Sequence, residues 1–388
     1  MKKIAILGDL APIGRAEEFI RSGDSQWFTS GLGPIFADAD FTFVNLECPL
    51  INLESPIQKL GPSLGVKAHS VNALKDFSLV GLANNHILDH GEDGLKHTLN
   101  LLEKSNISHI GAGMDLSAAG EPSIVHVGDI TVGFLAWSHH EFCIATDADA
   151  GAFPIDITMG LSVVERLREQ CDFIILLYHG GVENFPYPTP KQRRNCQFLA
   201  ERGVDLVICQ HSHIIGASEV IGDSTIIYGQ GNYCFDLKCK ETVEHWSRGL
   251  LIDVTLELGK PLCAKYVPIV QDANDGMRPK IADSDLATEI LKVQAELSDT
   301  LSNNYNYERV WSSYAKQQSD IFLYELLPFG RYIRKALKTF GLMPVICNRL
   351  HALKMLNRVE CEAHSDVIIA GLKKNINDRI NKYYASDK

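Results

Sequence analysis

The chain has 388 residues, 45% hydrophobic and 22% charged, an ordinary globular balance with room for a large core. Its net charge of −11 excludes a general nucleic-acid binder, which needs a basic face. No run reaches the roughly eighteen apolar residues of a membrane span. The ten cysteines form no CxxC pair, and Cys234 and Cys239 suit no common zinc site, so a cytoplasmic chain with reduced, mostly buried thiols is expected.

In chain order, residues 3–7 read as a buried strand ending in Gly8-Asp9. Asp9 and Pro12 break the run, so a strand is a better reading than a signal peptide. Residues 17–20 suggest a short helix. Residues 41–46 form a second apolar run that leads into Glu47, and prolines at 49, 56 and 62 make 49–63 a loop. Residues 70–77 look helical. Residues 78–83 form the third strand and run directly into Asn84-Asn85-His86-Ile87-Leu88-Asp89-His90-Gly91. Leu95, Leu99 and Leu102 recur at helical spacing over 94–105. Residues 107–113 read as strand and glycine turn. Gly128-Asp129, between runs at 124–127 and 131–137, predicts a hairpin with a primed turn. A helix over 161–170 precedes a strand over 172–178, which ends in His179-Gly180-Gly181. A helix over 191–203, with Gly203 as its C-cap, precedes a strand over 204–209 ending in Gln210-His211-Ser212-His213. Strands over 225–228, ending at Gly229-Gln230-Gly231-Asn232, and over 250–256 complete the series.

This alternation predicts an α/β sandwich of mixed sheets with helices outside. Past residue 272 the character changes, with helices over 281–301 and 305–324, an apolar and basic stretch over 326–358, and an amphipathic helix over 366–384. From Ile321 to Lys388, twelve Lys and Arg stand against six Asp and Glu. The expected organisation is a main domain over 1–271 and a helical C-terminal region over 272–388. The basic tail would pack on the main domain or dock on a partner, with a membrane or polyanion surface as the alternative.

Polar clusters recur at the C-terminal ends of the strands, the edge where α/β sheets bind ligands. They are Asp9; Asn45 and Glu47; Asn85, His86 and Asp89; His179; and His211 with His213. Carboxylates, an amide and imidazoles together make the ligand mix of a two-metal hydrolytic site. Polar groups this dense after an apolar run are costly to desolvate unless something pairs with them. His211-Ser212-His213 on an extended segment would put both rings on one face, because strand side chains alternate. Glu183 reads as a pocket wall or a solvated loop residue. Asn232 faces the site or tolerates a left-handed turn. His139-His140-Glu141 is a loop cluster or a substrate wall.

Further residues extend these clusters: Gly8-Asp9, Asn45-Leu46-Glu47, Asn84-Asn85-His86 with Asp89 and Gly91, His179-Gly180-Gly181 with Glu183 and Pro188, His211-Ser212-His213, and Tyr228-Gly229-Gln230-Gly231-Asn232-Tyr233 with Asp236. On these, in order over about residues 1–260, the chain resembles the capsule-synthesis CapA (PgsA-like) family of poly-γ-glutamate biosynthesis, within the calcineurin-like metallophosphoesterase fold. The resemblance implies a metallophosphoesterase-like sandwich and one or two divalent ions of the Mn, Fe or Zn type. It implies Asp9, Glu47, Asn85, His179, His211 and His213 as ligands, with Glu47 in the bridging position. His86 would be the catalytic imidazole and Asp89 would orient it. Asn45, Glu183 and Asn232 are expected to meet the substrate. Three departures stand out. Metallophosphoesterases open with Asp-x-His, whereas Asp9 is followed by Leu10-Ala11. The bridging residue is Glu rather than Asp, and Gly-His-x-His reads Gln210-His211-Ser212-His213. One metal position is therefore expected to lack an imidazole.

The expected function is a metal-dependent hydrolase acting on a phosphorylated or polyanionic substrate linked to capsule or cell-surface polymer synthesis. The alternative is a non-catalytic accessory protein that binds a metal or a polyanion. A third reading is an amide hydrolase of glutamyl polymers. Expected partners are an anionic small molecule or polymer and a biosynthetic protein docked through the basic tail, without nucleic acid.

Overall fold

The computed structural model describes residues 1–21, 26–237, 245–327, 329–346, 348–361 and 363–372. The apolar runs form two principal sheets. The larger orders its strands Arg278–Ile281, Cys263–Asp272, Arg248–Leu256, Lys2–Ala11, Phe41–Leu46, Leu79–Gly81 and Ser108–Ile110, with Asn232–Phe235 also paired to Lys2–Ala11. From Lys2–Ala11 to Ser108–Ile110 the pairing is parallel; in the other direction it is antiparallel. The second sheet orders Ser218–Ile221, Ser224–Ile227, Leu206–Gln210, Phe173–His179, Ile130–Ser138 and Ser123–Val127. Its four middle strands are parallel and each edge is an antiparallel hairpin.

The sheets share one apolar core. Phe134 of the second sheet stacks on Phe41 and Phe43 of the first, with ring centroids 5.3 and 6.3 Å apart. Ile4, Ile6, Ile175 and Ile208 are buried in the same cluster. A strand covered on both faces needs continuous apolar sequence, and Phe173–His179 is buried throughout. Emptying such a core is costly; Phe134→Ala should cost about 3–5 kcal/mol.

Parallel strands need crossovers, and helices supply them. Ile157–Arg168 starts at Asp156, whose side chain accepts from the N–H groups of Thr158 and Met159. Pro190–Glu201 starts at a capping box made by Thr189 and Gln192. Crossovers return the chain to the same start edge each time, so the C-terminal ends of the parallel strands gather on one side.

The hairpin forms as expected, with Gly128 at φ 66°. Other expectations shift. The first strand continues to Ala11, residues 68–74 form a 3₁₀ helix, and the strand expected over 78–83 shortens to Leu79–Gly81. Strands Ser218–Ile221, Cys263–Asp272 and Arg278–Ile281 were not expected. They are partly exposed, and Cys263–Asp272 contains Pro268, so none reads as an apolar run. The helix expected from 281 starts at Ser284, capped by Asp283. Cys239 and residues 373–384 of the last expected helix lie outside the described residues.

Contacts group the chain into Met1–Tyr307 and Glu308–Lys388. In the first unit, helix Ser284–Ser302 packs on Ser218–Ile221, with Ser298 Oγ accepting from the Ser218 N–H at 2.9 Å. The second unit is helical, including Arg331–Thr339 and Arg349–Glu360, and Tyr332, Phe340, Val345 and Val359 are exposed on it. Among the described residues no helix is long and apolar enough to cross a membrane.

Candidate metal centre

Asp9 sits inside its strand, where the pairing register shifts on both sides. Such irregularities re-aim a side chain. Gly8 permits the close approach: a Cβ there would lie 2.3 Å from the Gly231 carbonyl oxygen. Asp9 Oδ1 accepts from Asn45 Nδ2 at 2.8 Å, and Oδ2 accepts from the His211 backbone N–H at 3.1 Å.

His211 and His213 follow strand Leu206–Gln210 and do not continue it. Their φ angles are 86° and 58°, in the left-handed region, so the expected extended segment is corrected to a turn. Non-glycine residues hold that conformation at a cost of order 1–3 kcal/mol each. Two bonds help to fix it, the His211 N–H to Asp9 and His213 Nδ1 to Asn232 Oδ1 at 2.9 Å.

The strand irregularity at Asp9 and the turn at His211 and His213 bring the side chains into overlapping groups. Asp9, Glu47 and His213 form one; Glu47, His179 and His211 form another; within each, the candidate ligand atoms lie within 4.8 Å of one another. Glu47 is common to both. Its Oε1 is 3.4 Å from His179 Nε2 and 3.7 Å from His213 Nε2. Asn85 Oδ1 is 3.0 Å from His179 Nε2, on the side of the second group. Ala11, where an imidazole was missed, is fully buried.

Both Glu47 oxygens and His211 Nδ1 are buried without a hydrogen-bond partner among the described residues. Buried polar groups are normally satisfied, and a lone buried carboxylate is among the costliest exceptions. A divalent cation would satisfy all three atoms, and the mixed carboxylate and imidazole donors suit a borderline metal. The residues fit such a cofactor. Burial, and then the Asp9 carboxylate beside it, push the Glu47 carboxyl well above its usual range. Burial raises Asp9 as well, against the pull of His213. Burial holds His179 and His211 well below the ordinary imidazole range, and neighbouring imidazoles add to this. His213 is also lowered by burial, although Asp9 opposes the shift.

The stretch after Leu79–Gly81 divides its tasks. Asn84 braces the loop by donating to the Leu46 carbonyl at 2.7 Å. His90 Nδ1 accepts from the Ser55 N–H at 2.9 Å, a structural contact. His86 Nδ1 lies 2.6 Å from Asp89 Oδ2, and Asp89 also accepts from the Leu64 N–H. Lys59, in the 49–63 loop where no pattern marks it, pairs with Asp89 and lies 3.2 Å from His86 Nδ1, with its side chain only 3% exposed. Asp89 is a carboxylate between two donors, so His86 Nδ1 carries the hydrogen and Nε2 is the acceptor.

The remaining expected residues also surround the centre. Asn45 donates to Asp9, and Asn232 contacts His213. Glu183 is exposed but near enough to raise both Glu47 and His213. His139 and Glu141 come closer than a substrate wall requires: the His139 and His211 ring centroids are 4.3 Å apart, and Asn85 Nδ2 donates to Glu141 Oε2 at 3.1 Å.

Residues 3–237 match the family model described as "Bacterial capsule synthesis protein PGA_cap". The chain belongs to that family. Among curated relatives, it is 30% identical over 212 residues to the PGA biosynthesis protein CapA of Bacillus subtilis (strain 168), covering 52% of this chain and 55% of the relative. It is 23% identical over 244 residues to the capsule biosynthesis protein CapA of Bacillus anthracis, covering 60% and 59%. The matches thus span under two thirds of those relatives' lengths. Among solved structures, a calcineurin-like phosphoesterase of Bacillus subtilis superposes with a TM-score of 0.40 at 13% identity, over 76% of this chain and 96% of that one. A 5'-nucleotidase precursor of Thermus thermophilus gives 0.43 at 15% identity, over 76% and 58%.

Proposed function

We propose that this capsule synthesis family member is a metal-dependent hydrolase of the phosphoesterase type. Its substrate class would be a phosphorylated or polyanionic component of capsule or cell-surface polymer synthesis. The reading rests on Glu47, a buried carboxylate that two ligand groups share and that has no hydrogen-bond donor among the described residues. A shared carboxylate between oxygen and nitrogen donors is what a two-cation hydrolytic site requires. Bound divalent cations would supply Lewis acidity toward phosphoryl oxygens and acidify a water. Asp9, Glu47, Asn85, His179, His211 and His213 hold the site. Asp89 and Lys59 fix His86 with its Nδ1 hydrogen inward, which leaves Nε2 to take a proton or accept a hydrogen bond from the substrate. Asn45, Asn232 and Glu183 line the approach. The names of the relatives support an anionic polymer, or a precursor of one, as substrate.

A second reading is supported by Ala11. With no imidazole there, the group of Asp9, Glu47 and His213 has one imidazole fewer than the metallophosphoesterase pattern supplies, so it would hold a cation more weakly. A non-catalytic accessory would hold a single cation or a polyanion in the same pocket. In this second reading the basic C-terminal region would dock on the synthesis machinery.

The test is elemental analysis of the purified protein together with phosphomonoester and phosphodiester turnover in added manganese. Less than one equivalent of metal and no turnover overturns the hydrolase; firmly bound metal without turnover favours the accessory. Turnover that survives both Glu47→Ala and His213→Ala overturns the site assignment.

A further inference from the structure

We propose that His139, Glu141 and His211 form a third cation position, outside the two groups that share Glu47. His139 and Glu141 follow strand Ile130–Ser138, the neighbour of Phe173–His179 in the second sheet. Their candidate ligand atoms and that of His211 all lie within 4.8 Å of one another. Glu141 Oε1 is 3.7 Å from His139 Nε2, while Oε2 is occupied by the Asn85 amide at 3.1 Å. The carboxylate is thereby oriented, with its other oxygen toward the imidazole.

Two atoms point to a missing ligand. His139 Nε2 and His211 Nδ1 are buried and have no hydrogen-bond partner among the described residues. His211 is itself only 3% exposed. An imidazole nitrogen left bare in such a place is satisfied by a metal as well as by a donor. Two nitrogens and one carboxylate oxygen make a borderline donor set, suited to zinc-type ions rather than to magnesium or calcium.

The third position differs from the inner groups in access. The side chains of His139 and Glu141 are 23% and 37% exposed, whereas those of Asp9, Glu47, His179 and His213 are buried. Solvent therefore reaches this position past Glu141, although the two nitrogen donors are buried. His211 belongs to both this group and the inner group of Glu47 and His179, and a neutral imidazole gives one lone pair to one ion. With the inner position filled, a cation in the outer one therefore rests on His139 and Glu141 alone and is held the more weakly; with the inner one empty, it gains His211. Glu141 adds a second link, because it holds the amide of Asn85, whose oxygen faces His179.

Tag-free full-length protein is stripped with chelator and titrated with Zn²⁺ by calorimetry, with elemental analysis after desalting. The same is done for His139→Ala, Glu141→Gln and Glu47→Gln, each checked for an unchanged thermal transition in chelator or, for Glu47→Gln, an equal or higher one. Because His139 and Glu141 are partly exposed loop residues, their variants are expected to fold. The expected result is that His139→Ala and Glu141→Gln each lose one weak class of Zn²⁺ site and keep the tight class. Glu47→Gln should lose tight binding and keep the weak class. Isotherms of His139→Ala and Glu141→Gln that match wild type overturn the third position. So does the loss of every Zn²⁺ class in either variant, which would make these residues part of one inner site. Neither of these outcomes bears on hydrolysis, whose failure is read separately from turnover by wild type.

Discussion

Glu47→Gln separates the two demands placed on that side chain. In the metal-free protein the carboxylate is buried, accepts no hydrogen bond from a described residue and lies beside Asp9. Glutamine keeps the shape and cannot ionise. Its amide nitrogen can donate to the neutral Nε2 of His213, which lies 3.7 Å from the present Oε1 and is the ring's acceptor because Nδ1 donates to Asn232 Oδ1. An unsatisfied buried polar group costs about 1–3 kcal/mol, and more when charged. Relief of that cost is expected to stabilise metal-free protein by about 1–3 kcal/mol, a rise of a few degrees in Tm. In saturating cation the order reverses. Wild type gains about 2.7 kcal/mol per site at a hundredfold excess over Kd, whereas the variant has lost the ligand common to both groups. The assay is thermal unfolding in chelator and across a Mn²⁺ titration. A variant that melts below wild type in chelator, or gains as much from Mn²⁺, would refute the argument.

Lys59→Met removes the ammonium from a buried pair and is expected to cost about 3–5 kcal/mol in urea unfolding, part of it recovered by adding Asp89→Asn. A loss below about 1 kcal/mol would show that the pair carries no such burden. Gly8→Ala puts a Cβ 2.3 Å from the Gly231 carbonyl oxygen, so the strand carrying Asn232 must move. The expected cost is about 1–3 kcal/mol with weakened metal binding, read by calorimetry. Asp236 gives a pH test away from the centre. Burial disfavours its charge, but the Arg15 N–H, Nε and Nη2 donate to it at 2.8, 2.8 and 2.7 Å and hold its carboxyl below the usual range. A carboxyl depressed on folding contributes stability above its unfolded value of about 3.9, and loses it as pH falls through the folded value. Asp236→Asn should therefore cost about 1–3 kcal/mol at neutral pH and nothing once wild-type Asp236 is protonated. An equal cost at both pH values would place the effect in packing.

Strands with both faces covered were legible because their burden is local. Phe173–His179 and Leu206–Gln210 must be apolar along their length, so a polar residue just beyond them marks an edge. That reasoning brings Asp9, Glu47, Asn85, His179, His211 and His213 to one place without any knowledge of distance. It fails where a strand has one wet face, as at Cys263–Asp272, and where backbone geometry departs from the element, as at the left-handed His211 and His213. The family resemblance supplied roles, but pairings that close only in three dimensions stayed invisible. Lys59 stands in a proline-bearing loop 30 residues before Asp89, and Asn85 stands 56 residues before Glu141. Neither separation follows a helical or strand period. The same limit hides which polar atoms end up without partners, since a satisfied and an unsatisfied carboxylate are one letter in the sequence. Asp9 is satisfied because the strand beside it delivers Asn45 and the turn after Gln210 delivers an N–H, whereas no described residue makes a hydrogen bond to either Glu47 oxygen or to His211 Nδ1. The unpaired atoms sit where the two ligand groups overlap, so the cost of folding them inside is largest where a cation would recover most of it.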